Sequence, residues 1–155
     1  MSDHHYPYTA PAADITQHTY ASGRIYTPTQ AAMGALLGGP VGVVYFLWAN
    51  FNTLQKHTAA SNTLKLGVMG IAAIGVSIIL LPEDFPSLPF TILYVMTSGW
   101  VARKYQPSKE TIAESEQFSL HSNWRVFGLG LLCLLGSAVV LFGMAAAAMW
   151  LGLLA

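Results

Sequence analysis

The sequence predicts an all-α fold, a four-helix transmembrane bundle. Composition is the first reason: 54% of residues are hydrophobic and only 9% are charged, against about 25% charged in an ordinary soluble domain. The second is that apolar residues gather into four runs, at about 31–49, 66–81, 88–102 and 126–155, none containing Asp, Glu, Lys, Arg or His. The third is the punctuation between runs. Residues 50–65 carry Lys56, His57 and Lys65, residues 82–87 read Pro-Glu-Asp-Phe-Pro-Ser, and residues 103–125 form a longer polar connection.

Each run is measured against the bilayer. Crossing about 30 Å of hydrocarbon takes about 20 helical residues. The first run fits that length. The second and third are short, and rely on Lys65 and on Arg103-Lys104 to snorkel, or on local thinning of the bilayer. The fourth is longer than needed, so it tilts or protrudes.

Ahead of the spans, residues 1–27 read as a polar tail without periodicity, expected to be disordered or to lie on the surface. No cleavable signal precedes the first run, which is expected to insert as an uncleaved anchor. Thr27-Pro28 marks the start of the first helix, and residues 28–155 form the membrane domain. In the long loop, Thr111-Ile112-Ala113-Glu114 matches a capping box and predicts a short interfacial helix. Trp124-Arg125 reads as an interface anchor.

Orientation follows from basic residues. With four crossings, Lys56, Lys65, Arg103, Lys104, Lys109 and Arg125 share one side and Arg24 stands alone on the other. Basic loops stay in the cytoplasm, so both termini are expected outside. Lys plus Arg equals Asp plus Glu at seven each, and no charge excess suggests a nucleic acid.

The motif richest in information is in the first run. Gly34, Gly38 and Gly42 make two overlapping small-xxx-small pairs, and Gly39-Pro40 sits between them. Small residues let helix backbones approach closely. Pro40 lacks an N–H and is expected to kink the helix. The kinked packing seam is the simpler reading, and a discontinuous helix lining a substrate path the sharper one. Tyr45 and Asn50, near the end of the run, are candidates for a polar site, although Trp48 and Tyr45 also suit an interface and Asn50 a helix end.

Catalytic chemistry finds little to use. Ser77, Ser98 and Ser137 lie in apolar runs without an in-span base, and read as packing hydroxyls. Cys133 reads as a small hydrophobe. Glu83 and Asp84 read as a solvated turn. Once Met1 is removed, a free amine, two amide nitrogens and the His4 imidazole match a square-planar copper(II) or nickel(II) set. A solvated polar tail is the simpler reading, and no cofactor is called for.

From Ile25 to about Lys104, the chain resembles a group of small, functionally uncharacterised bacterial four-span inner-membrane proteins with a GGP-containing first helix. The likeness lies in Tyr26-Thr27-Pro28-Thr29-Gln30-Ala31, Gly38-Gly39-Pro40, Tyr45, Asn50, Leu54 and a second span ending at Leu81-Pro82. It implies a bacterial inner-membrane location and brings no activity. The functional expectation is therefore a non-enzymatic structural, regulatory or accessory membrane protein, of which an immunity factor is one kind. It acts within the bilayer through helix association with itself or with a membrane partner. A small oligomeric transporter or channel is the alternative.

Overall fold

The computed structural model describes residues 23–80, 86, 88–114 and 118–152. In chain order these form β1 (Gly23–Ile25), α1 (Pro28–Thr53), α2 (His57–Leu80), α3 (Leu88–Tyr105), α4 (Lys109–Glu114), β2 (Phe118–Leu120) and α5 (Asn123–Trp150). The described residues are mostly helical, and among them each of the four apolar runs lies largely on a helix. Among the described residues three helical segments, Pro28–Thr53, His57–Ser77 and Asn123–Trp150, are long and apolar enough to cross a membrane by length and composition. The 18 residues of α3 extend about 27 Å at 1.5 Å per residue.

The first helix begins where Thr27 and Pro28 predict. The Thr27 hydroxyl accepts from the Gln30 N–H at 3.1 Å, and Gln30 Oε1 accepts from the Thr27 N–H at 3.0 Å. This reciprocal capping box satisfies two donors that a helix start leaves open.

Length alone misleads about α1. At Gly39 the backbone has φ 63° and ψ −155°, a region essentially reserved for glycine. There the helix reverses direction. In a continuous helix Tyr26 and Asn50 would be about 36 Å apart, yet the Tyr26 N–H donates to Asn50 Oδ1 at 2.8 Å. The rings of Tyr26 and Phe46 meet edge to face at 4.9 Å. A Cβ on Gly42 would lie 2.7 Å from the Gly34 carbonyl oxygen, and one on Gly34 would overlap the Phe46 ring. So α1 is a helical hairpin whose arms, residues 28–38 and 40–53, extend about 16 and 21 Å. Neither reaches across about 30 Å of hydrocarbon. In place of the kinked single helix expected at 31–49 there is a folded-back pair, and the interruption falls at Gly39 and reverses the chain instead of bending it at Pro40.

The hairpin is the core, and the other long helices surround it. α5 packs on its tip: a Cβ on Gly38 would stand 2.7 Å from Cys133 Cβ, and one on Gly130 would stand 3.0 Å from Leu37 Cβ. α3 runs beside the first arm, with Ser98 Oγ 3.5 Å from the Ala31 carbonyl. α2 runs beside the second arm, where Gly67 is held against Val44. About 10 Å past the tip, α2 and α5 meet directly through Gly75 and Met144. The outward faces are apolar: Leu66 and Met69 on α2, Leu93 and Met96 on α3, and Leu132 and Phe142 on α5 are all exposed. Burying these faces in hydrocarbon rather than water is what their composition favours.

Two further expectations change. Residues 1–27 were expected to be disordered or to lie on the surface; of these, residues 23–27 are described, and Ile25 and Tyr26 are 1% and 2% exposed. β1 also pairs in parallel with β2, Gly23 opposite Phe118 and Ile25 opposite Leu120. Residues 23–25 therefore lie at the same end as the 103–125 connection, not across from it. The short helix in that connection exists as α4 (Lys109–Glu114), but its start is three residues earlier than the Thr111 capping box implied. Ser108 is the cap, its hydroxyl accepting from the Thr111 N–H at 3.3 Å and its carbonyl from the Ile112 N–H at 3.0 Å.

Candidate functional site

Two polar features stand out in an otherwise apolar interior. The first closes the break in the hairpin. A reversal at Gly39 deprives nearby backbone groups of helical partners, and unpaired groups are costly away from water. Ser137 on α5 supplies them. Its hydroxyl donates to the Gly38 carbonyl at 2.7 Å and accepts from the Val41 N–H at 3.2 Å. One hydroxyl thus bridges the two arms of α1. Ser137 is a packing hydroxyl with this specific task, and a break of this kind is tolerated at membrane depth when protein buries it.

The second feature is a polar junction where the hairpin opens. Asn50, 1% exposed, uses its whole amide. Oδ1 accepts from the Tyr26 N–H, and Nδ2 donates to the Tyr26 carbonyl at 2.8 Å and to Gln106 Oε1 at 2.7 Å. The Tyr26 backbone fixes which end of the Asn50 amide is which. That in turn makes Gln106 present its oxygen, leaving buried Gln106 Nε2 without a partner among the described residues. The Tyr26 ring continues the junction, lying 4.2 Å from the His121 ring, with its hydroxyl 3.4 Å from Arg125 Nε. Tyr45 lies near the same Tyr26 and Arg125 groups.

Electrostatics at this end is positive. His121 sits where burial disfavours its cation, and the charges of Arg125 and Arg24 act in the same direction. Its imidazole therefore titrates below its ordinary range. Beside it a cleft of about 690 Å³ opens between the start of α1, the end of α3 and the start of α5, with Arg103, Lys109 and His121 in its wall.

The structure distributes the sequence candidates between these features. Gly34 and Gly42 face each other across the hairpin, and Gly38 faces α5. Gly39 makes the reversal and Pro40 begins the second arm. Asn50 belongs to the junction, bonding to Tyr26 and Gln106 instead of to its own helix end, and Tyr45 lies close to it. His4, with its proposed copper or nickel set, and the Glu83–Asp84 turn lie outside the described residues. Among the described residues no three His, Cys, Asp or Glu side chains converge. Sequence reasoning missed Tyr26, Gln106 and His121 as partners, because each reaches across tens of residues. The only available signal was the polarity of Asn50 and Gln106 at the ends of apolar runs. Compared with family models, curated proteins and solved structures, the chain matches none.

Proposed function

We propose that the chain is a multi-pass membrane protein with three crossing helices, α2, α3 and α5, around a re-entrant hairpin, α1. On this reading both arms of α1 open to the same side as β1 and the 103–125 connection. All the basic residues, Arg24, Lys56, Lys65, Arg103, Lys104, Lys109 and Arg125, then fall on one side. The connection that carries Glu83 and Asp84 contributes none. A seven-to-zero bias makes that side cytoplasmic. The N-terminus is then inside and the C-terminus outside, which revises the expectation of two outside termini. The resemblance seen in sequence supports a bacterial inner membrane.

Within it, the chain acts as a non-enzymatic structural or accessory factor, through its helix surfaces, on a membrane partner or a second copy. The observation that supports this over transport is Ser137. The hydroxyl bonds the carbonyl and N–H on either side of the break, so those groups are engaged inside the protein and not offered to a passing solute. Crosslinking in membranes followed by affinity capture tests the reading. A discrete homo-oligomer or one recurrent membrane partner is expected. Gradient-driven solute flux in liposomes, lost when Gly39 or Pro40 is replaced, would replace it with a transporter.

A further inference from the structure

The cleft at the basic end has the chemistry of an anion site. Arg103 comes from the last turn of α3, Lys109 from the first residue of α4 and His121 from the link between β2 and α5. Three separate elements thus bring donors to one concavity. Arg103 and Lys109 are solvent-exposed, and the described residues record no ion pair for either. The starts of α1 and α5, at Thr29 and Asn123, also line the cleft and add the positive ends of the first arm of α1 and of the long helix α5. Arg24 and Arg125 strengthen the same field, felt at His121. Two features oppose it, of which the first is the negative C-terminal end of α3, which carries Arg103. The second is Glu110, which lines the cleft as well; bonds from its own backbone and from Ser108 hold its carboxyl below the usual range, so it is ionised.

Position tells which anion. Trp100 lies one turn before Arg103 on α3, and Lys104 stands 4.7 Å over its ring. Trp124 and Phe127 flank Asn123 on the other side, and both are exposed. Exposed tryptophans beside cations mark the headgroup level of a bilayer. The cleft therefore opens where lipid phosphates lie.

We infer that this cleft binds the phosphate of an anionic phospholipid, with Arg103 and Lys109 as its principal contacts. Guanidinium and ammonium groups at a membrane surface each favour an anionic lipid by about fivefold. The volume of about 690 Å³ is in the range of small-ligand clefts. The inference needs only that this end of the bundle meets a membrane surface, and does not depend on which partner the helix surfaces engage.

The test is a titration of the purified full-length protein in neutral micelles, followed through the His121 imidazole resonance. Phosphatidylglycerol is expected to shift it saturably and to raise its pKa, because a bound anion offsets the surrounding cations. Phosphatidylcholine is expected to leave it in place. The double variant Arg103→Gln, Lys109→Gln should weaken phosphatidylglycerol by roughly 25-fold, taking about fivefold per charge. Exposed positions of this kind are replaced without unfolding the chain. Glu110→Gln should tighten binding by about fivefold, a gain that loss of folding does not produce. Equal response to both lipids, or no weakening in the double variant, would overturn the site. An equal shift with inorganic phosphate alone at the same concentration would overturn the lipid as its occupant.

Discussion

Ser137 Oγ donates to the Gly38 carbonyl at 2.7 Å across 99 positions of sequence, and through this bond α5 holds closed the break in α1. The same oxygen accepts from the Val41 N–H. Ser137→Ala keeps the packing volume nearly unchanged and leaves both backbone groups unpaired. Leaving these two buried polar groups unsatisfied costs about 2–6 kcal/mol, at about 1–3 kcal/mol each. Unfolding in micelles should show a loss of that size, whereas Ser77→Ala, whose hydroxyl only bonds back to the Ala73 carbonyl of its own helix, should be nearly silent.

Glycines of this chain should respond to alanine in opposite directions. Gly39 has positive φ and a Cβ there would stand 3.1 Å from Ser137 Oγ. Gly39→Ala should cost at least the 1–3 kcal/mol typical of a strained backbone, with lowered expression of folded protein. Gly143 is helical, and a Cβ there meets nothing within 4 Å. Gly143→Ala should raise stability by about 0.4–1 kcal/mol through the unfolded chain. Thermal unfolding of the two variants side by side checks both signs.

Asn50 and Tyr26 give the measure of what was legible in the sequence. The four apolar runs announced helices, and Thr27-Pro28 announced the start of α1, because both signals are local. The Gly38-Gly39-Pro40 motif announced that something interrupts the first run, but not whether it bends or reverses. Reversal depends on φ at Gly39 and on a hydroxyl supplied from α5, and no spacing within α1 contains that. Window hydropathy is blind to it as well, since two arms of a hairpin and one straight helix have the same composition. The side of the membrane expected for the tail followed from the count of crossings, so reading α1 as a hairpin reverses that side in the topology proposed above. Asn50 was legible as a polar residue in an apolar context, and Tyr26 as its partner was not.

Asn50 should be among the most sensitive positions in the chain. Asn50→Leu removes three hydrogen bonds and leaves the Tyr26 N–H, Tyr26 C=O and Gln106 Oε1 unpaired in a buried place. Several kcal/mol are at stake at about 1–3 kcal/mol per unsatisfied group. Protease cleavage at Arg24 should become faster in the variant, since the Tyr26 anchor next to it is released. Unchanged cleavage and stability would mean that β1 holds the tail without Asn50.

The topology has a direct chemical test. In a Cys133→Ala background, single cysteines at Arg24, Lys56 and Lys109 should all react with an impermeant maleimide from the same side of sealed vesicles. A reporter fused after Ala155 should lie on the opposite side. Labelling of Arg24→Cys from the side opposite to Lys109→Cys contradicts the hairpin, because β1 and β2 pair directly.

The last prediction concerns acid. His121 titrates below its ordinary range in the folded protein because burial disfavours its cation, with Arg125 and Arg24 adding to the effect. In the unfolded chain its pKa is about 6.5. Between the lowered folded value and about 6.5 the unfolded state binds more protons, so stability rises with pH across that window. The contribution is complete above pH of about 6.5 and is lost as pH falls toward the folded value. Unfolding midpoints measured in steps from pH 7.5 to pH 5 should therefore decline on the acid side. His121→Gln should flatten that decline while keeping a polar side chain beside Tyr26. An anionic lipid in the neighbouring cleft should reduce it too, by offsetting the Arg125 and Arg24 charges that add to the effect of burial. A slope that survives His121→Gln unchanged would assign the acid response to other groups.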